Sequence, residues 1–195
     1  MSRRLALLGG AAVVVVVASG LGYRVGSSLR GGSSDSTGTW TAGLDPSPVW
    51  LEIPAPDVEF RTAEGGSARL SDYAGQIVLL NFWGTWCPPC LAEIPHLIEV
   101  QEVLTELGGT ILGPAVDSGS GQDVLRFARE HDINYPLWLS SYDTAVGRFG
   151  AAGYPFTLLI DREGIIRKHY LGPQTARTLL SDIGALALRE AEPAE

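Results

Sequence analysis

LLNFWGTWCPPCLAEIP, residues 79–95, contains both cysteines of the chain, Cys87 and Cys90. Gln76 to Trp83 (QIVLLNFW) is an almost unbroken apolar run, the pattern of a central strand covered on both faces. From Pro88 to Leu107 the period changes. Leu91, Ile94, Leu97, Ile98, Val100 and Leu104 fall near one side of a helix, which Gly108-Gly109 ends. Cys87 therefore closes a strand-and-turn segment, and Cys90 sits one turn inside the helix. That spacing lets the two sulfurs bond with little backbone distortion. It also puts Cys87 at a helix N-terminus, where partial positive charge favours the thiolate, the attacking form. Cys87 is the expected nucleophile, open to a partner, and Cys90 the resolving thiol.

Pro88 and Pro89 temper this. Neither has a backbone N–H, so Cys90 and Leu91 are the nearest donors for a thiolate at Cys87. No histidine lies between the cysteines. The expectation is a modestly acidic thiol and a weakly oxidising disulfide, which favours reduction of partners. A purely structural disulfide closing so short a loop would restrict the unfolded chain little. A metal site needs more ligands, and His96, His131 and His169 follow no recognised ligand spacing. No metal and no bound cofactor is expected, because the two sulfurs carry the electrons. A peroxide-reducing thiol would want a hydroxyl residue and an arginine around the first cysteine, which are not evident here.

Outward from this segment, strand and helix patterns alternate. Val58 to Leu70 reads as a hairpin about Glu64-Gly65-Gly66. Thr110 to Val116 is a strand that Gly113-Pro114 is expected to bulge or cut short. Ser120 to Asp132 is helical, Pro136 to Leu139 a short strand and Thr144 to Phe149 a short helix. Phe156 to Asp161 and Ile165 to Tyr170 pair about Asp161-Arg162-Glu163-Gly164, and Thr175 to Arg189 is a closing helix. The class is α/β with a mixed central sheet flanked by helices.

The chain has 22 acidic and 14 basic residues, a net charge of −8, and no basic stripe, which argues against nucleic-acid binding. Its first 23 residues stand apart. Arg3 and Arg4 precede Leu5 to Tyr23, an uncharged apolar run close to the ~30 Å hydrocarbon thickness of a bilayer. A single membrane anchor with its N-terminus in the cytoplasm is expected. A cleaved secretory signal ending near Ala18-Ser19-Gly20 is the alternative. Both put the remainder outside the cytoplasm. Residues 24–55 read as a flexible Gly/Ser/Pro linker, and residues 56–190 as the folded domain. Trp40 and Trp50 are unusual in a linker and either pack on the domain or, for Trp40, sit near the membrane surface.

WCPPC after a buried strand and opening a helix resembles the active site of thioredoxin-fold proteins. The longer stretch LLNFWGTWCPPCLAEIP is similar to the TlpA/ResA/CcmG group of membrane-tethered, extracytoplasmic thiol-disulfide oxidoreductases. Leu70-Ser71-Asp72 with Gly75 carries the same resemblance, as does Gly153-Tyr154-Pro155-Phe156-Thr157-Leu158-Leu159-Ile160-Asp161. The resemblance covers about residues 56–189. It implies a thioredoxin-like fold with an N-terminal β-hairpin and an inserted strand and helix.

On the same resemblance, Cys87 and Cys90 are the redox pair and Trp86 lines the sulfur site. Pro155 matches a cis-proline facing the dithiol, and the Tyr154 backbone would pair with an extended client segment. Gly153-Tyr154-Pro155 is a turn entering a strand, where a cis bond fits. Glu93 matches an acidic residue near the redox pair that would exchange protons with Cys90; a solvated helix charge is its other reading. Asn81 stands where thioredoxins themselves have a buried aspartate, and an amide cannot take up a proton. Phe156 intervenes before Thr157, where many members have Thr directly after the proline, and either lines the docking groove or points into the core. Protein disulfides, apocytochrome c among them, are the implied substrates, with a membrane thiol carrier of the CcdA or DsbD type as electron donor. A disulfide oxidase or isomerase of secreted proteins, and a non-catalytic adaptor, are the alternatives.

Overall fold

Eight strands and four helices make up residues 50–191, the part of the chain that the computed structural model describes. In chain order these are β1 (Ile53–Pro54), β2 (Phe60–Thr62), β3 (Ser67–Ala68), β4 (Val78–Phe82), α1 (Pro88–Glu106) and β5 (Thr110–Val116). There follow α2 (Gly121–Glu130), β6 (Leu137–Ser140), α3 (Tyr142–Phe149), β7 (Phe156–Ile160), β8 (Ile165–Leu171) and α4 (Ala176–Ala191). The strands form one sheet in the order β1-β8-β7-β4-β5-β6-β2-β3. β4, β5 and β6 run parallel, while β7 is antiparallel to β4 and β8 to β7. The fold is thioredoxin-like: a mixed sheet flanked by helices.

The β2–β3 hairpin pairs on β6 at one edge. Between β5 and β7 the chain makes α2, β6 and α3, a strand and a helix more than a single crossover needs.

The apolar run after Gln76 is central because it can be buried on both sides. All five residues of β4 are buried. Leu79 and Trp83 face the cluster built with α1 and α4, through Leu97, Val100, Leu179 and Ile183. Val78, Leu80 and Phe82 face the opposite cluster, with Phe149 of α3. Each fully buried Leu or Ile here contributes roughly 1.5–3 kcal/mol relative to exposure.

Two sequence expectations change. Gly113-Pro114 neither ends nor bulges β5. β4 and β5 pair in register from Val78/Thr110 to Leu80/Leu112, and the same register resumes at Trp83/Ala115. Proline only interrupts the ladder: its carbonyl accepts from Trp83 N at 3.2 Å, but it has no N–H to return. Residues 50–55, read with the linker, are held on the sheet. Ile53 and Pro54 pair with Ile166 and Ile165, Leu51 N donates to Arg167 O at 2.8 Å, and the Lys168 ammonium lies 5.1 Å from the Trp50 ring centroid. This registry with β8 is carried by the backbone, so the Pro-rich composition did not reveal it.

The apolar segment of residues 5–23, Trp40 and the end of the chain at 192–195 lie outside the described residues. Among the described residues no helix is long and apolar enough to cross a membrane.

Candidate active site

Phe82 at the end of β4 pairs with Phe156 at the start of β7. The turn that follows β4 and the turn that precedes β7 therefore emerge side by side. The first carries Trp86 and Cys87; the second carries Tyr154 and Pro155, joined by a cis peptide bond. Cys87 caps α1, with Pro88 and Pro89 opening the helix where proline fits, since the first N–H groups have no partner within the helix. Cys87 and Cys90 are joined in a disulfide, with Cα atoms 5.3 Å apart.

Two details depart from the sequence expectation. The N–H groups of Cys90 and Leu91 both donate to the Cys87 carbonyl, at 3.0 and 3.2 Å. These donors close the first helical turn and do not serve the sulfur. Cys87, expected to be open to a partner, is only 3% exposed in this oxidised form, and Cys90 2%. The Cys87 sulfur is bonded to a residue one turn inside the helix, and both cysteines belong to the apolar cluster between the sheet and α1.

Trp86 lies beside them, 53% exposed. Its indole N–H donates to Val116 O at 3.0 Å, and its ring meets Tyr154 edge-on at 5.6 Å. Gly84 makes room for that ring, because a Cβ there would lie 2.6 Å from it. Phe156 is 6% exposed and faces the cluster on the other side of the sheet, so it is core and not part of a docking groove.

Glu93, on α1 one turn beyond Cys90, is 1% exposed, which rules out the solvated-charge reading. Its Oε2 accepts from Asn81 Nδ2 at 3.1 Å, and its Oε1 accepts from the backbone N–H of Gln174 at 2.8 Å. Asn81 also donates to Thr157 Oγ1 at 2.8 Å. Burial raises the Glu93 pKa to about 7, and the two hydrogen bonds only partly offset it. A carboxyl poised near neutrality can accept and release a proton at working pH.

Asn81, Thr157 and the Gln174 N–H complete this polar group. The sequence offered a signal for the first two, polar residues inside buried apolar strands. A backbone N–H in the β8–α4 connection leaves none.

Two sulfurs that bond and separate at a helix start, with a proton acceptor enclosed one turn away, are equipped to pass electron pairs by thiol-disulfide exchange. The fold and this centre define a thioredoxin-like thiol-disulfide oxidoreductase. Residues 52–169 match the AhpC/TSA family, and the chain belongs to it. The chain is 37% identical over 122 residues to the thiol-disulfide oxidoreductase ResA of Geobacillus thermodenitrificans, an alignment spanning 62% of this chain and 69% of that protein. It is 30% identical to the thioredoxin-like protein YneN of Bacillus subtilis over 64% of this chain and 74% of that one. Among solved structures, a DsbF homologue from Corynebacterium diphtheriae superposes with a TM-score of 0.63 at 28% identity, covering 73% of this chain and 96% of that one. A thioredoxin-family thiol:disulfide interchange protein from Chlorobium tepidum gives 0.62 at 26%, covering 70% and 97%.

Proposed function

We propose that this oxidoreductase works as a reductase of protein disulfides outside the cytoplasm, tethered by residues 5–23. The Cys87 thiolate attacks a client disulfide, and the client's first sulfur leaves with the electron pair. Cys90 loses its proton to Glu93 and attacks the Cys87 sulfur of the mixed disulfide. The Cys87–Cys90 bond forms, and the second client thiolate departs. Trp86 and the Tyr154–Pro155 turn flank the exchanging sulfurs and receive an extended client segment.

The observation that carries the direction of electron flow is the commitment of the donors at the helix start. Pro88 and Pro89 have no N–H, and those of Cys90 and Leu91 are held by the Cys87 carbonyl. A Cys87 thiolate then has the helix terminus but no dedicated backbone N–H, which keeps it from being strongly stabilised. A dithiol whose reduced form lacks that stabilisation is a better reductant. Electrons must then be resupplied across the membrane by a thiol-carrying protein of the CcdA or DsbD type. Apocytochrome c, whose haem-attachment cysteines must be reduced, is the client class this reading favours.

The reduction potential tests it. The reductase reading expects a value towards that of thioredoxin, about −270 mV, and a pair kept reduced in cells. A value near the ~−120 mV of strong oxidants, with the pair oxidised in cells, would reverse the direction.

A further inference from the structure

Glu93 has two partners, Asn81 Nδ2 and Gln174 N–H, and as Asn81 is held, with Nδ2 also on Thr157 Oγ1, both donate. They suit the carboxylate. Once Glu93 takes the Cys90 proton it carries an O–H of its own, which needs an acceptor inside the protein. An enclosed hydroxyl left without one costs about 1–3 kcal/mol.

The sheet brings such an acceptor near. Continuing the β4–β5 register places Gly113 beside Asn81 on the face that α1 covers. Gly113 has no side chain to fill that place, and Leu137 Cδ2, 2.8 Å from where a Cβ would lie, and the edge of the Tyr135 ring close over it. A Cβ on Gly113 would lie 3.1 Å from Tyr135 Cε2 and 3.2 Å from Trp83 Nε1. Tyr135 is 6% exposed and belongs to the same buried cluster as both cysteines. Its hydroxyl is fully enclosed and has no hydrogen-bond partner within the protein. Unlike the two observed partners of Glu93, a hydroxyl accepts as well as donates.

We propose that Tyr135 is a positioning residue of the exchange reaction: through one enclosed water, its hydroxyl accepts the O–H of protonated Glu93. This rests on the proton role given to Glu93 above. In the resolving step Cys90–SH gives its proton to the Glu93 carboxylate. The Cys90 thiolate then bonds to the Cys87 sulfur, and the client sulfur leaves with the bonding electron pair. The proton waits on Glu93, held by Tyr135, and is afterwards released to water. Tyr135 also lines a cleft of about 440 Å³ between α2 and β6.

Burial is the main cause of the raised Tyr135 pKa, and the Glu93 charge adds to it, so the two groups sense each other electrostatically. The other titratable groups about this face are accounted for. Lys168 and Tyr170 of β8 both bond Asp182 of α4, at 2.5 and 2.7 Å, and Arg177 of α4 is exposed. Glu64, Arg129 and Asp132 line the outer cleft. His96 of α1 is half-buried and its neighbour Glu99 exposed.

The test is the titration of the Glu93 carboxyl, followed by carbon NMR on glutamate-labelled protein, in the natural chain and in Tyr135→Phe. Loss of the acceptor disfavours the neutral acid, so the Glu93 pKa falls by about one unit in Tyr135→Phe. The pH profile of the resolving step moves with it. An unmoved titration and profile would overturn the proposal and leave the hydroxyl a packing feature. If Tyr135→Phe does not fold, Glu93→Gln serves in its place: the Tyr135 ring-carbon resonance beside the hydroxyl must shift, and an unchanged one also overturns the proposal. A Glu93 that stays charged in the natural chain from pH 5 to 9 sinks both this proposal and the proton role beneath it. A normal Glu93 titration with no response to Tyr135→Phe sinks this proposal alone.

Discussion

Asn81 and Glu93 meet where β4 packs against α1, the amide donating to the carboxyl at 3.1 Å while its second hydrogen goes to Thr157 at 2.8 Å. An amide in that place binds the carboxylate without adding charge to it. The only carboxyl of the group is therefore Glu93 itself, and no second acid competes with it for a proton there.

Stability should carry the mark of that buried carboxyl. The Glu93 pKa is raised from its ordinary 4.5 to about 7, so between those values the folded protein binds more protons than the unfolded chain. The stabilisation is fully present below about pH 4.5 and is lost as pH rises through about 7. Its size is on the order of 3 kcal/mol. Glu93→Gln should flatten stability across that window and be the more stable protein at pH 8. Denaturant titrations from pH 5 to 8 decide it, and parallel curves for the two proteins would mean that Glu93 does not titrate there.

Asn81→Asp should do the reverse. Two carboxyls at hydrogen-bonding distance cannot both ionise at modest cost, so the pair keeps one proton well above neutrality. The loss at pH 8 should be about 3 kcal/mol and smaller at pH 5. Equal losses at both values would show that packing, and not charge, is responsible.

Gly113→Ala should be destabilising by about 1–3 kcal/mol, the range for overpacked cores. The added methyl meets Leu137 Cδ2 at 2.8 Å and the Tyr135 ring at 3.1 Å. Thermal denaturation measures it, and a melting temperature equal to that of the natural protein would contradict the packing described around Tyr135.

Trp86→Ala separates client binding from chemistry. Half of the Trp86 surface is open, and its ties are one hydrogen bond to Val116 O and an edge contact with Tyr154. The stability loss should be about 1 kcal/mol. Exchange with a protein disulfide should slow roughly tenfold, as expected of an aromatic anchor. Exchange with a small dithiol should not slow. Equal slowing of both would place Trp86 in the chemistry of the sulfurs instead.

Much of this was legible in the residues. QIVLLNFW has the pattern of a strand buried on both faces, and WCPPC set two cysteines one helical turn apart, close enough to bond. The hairpin at 58–70 and the helix from Pro88 followed from turn residues and apolar spacing. The rest depended on distant contacts. Leu51 to Pro54 join the sheet through backbone pairing with β8, to which side-chain composition is blind. Gly113-Pro114 reads as a break because the local cost of a missing N–H is visible in sequence, whereas the register held on either side of it is not. Phe156 faces the core opposite the cysteines because of strand alternation set by its pairing with Phe82. Tyr135 drew no notice, since a tyrosine before a short strand looks like ordinary packing until Gly113 is seen beneath its ring.

Cys90→Ala leaves Cys87 able to attack but unable to release what it has bound. Mixed with a protein disulfide and resolved by mass spectrometry under non-reducing conditions, this variant should accumulate a covalent adduct through the Cys87 sulfur, and Cys87→Ala should accumulate none. No adduct on Cys90→Ala, or one formed equally well by Cys87→Ala, would contradict the account at its centre.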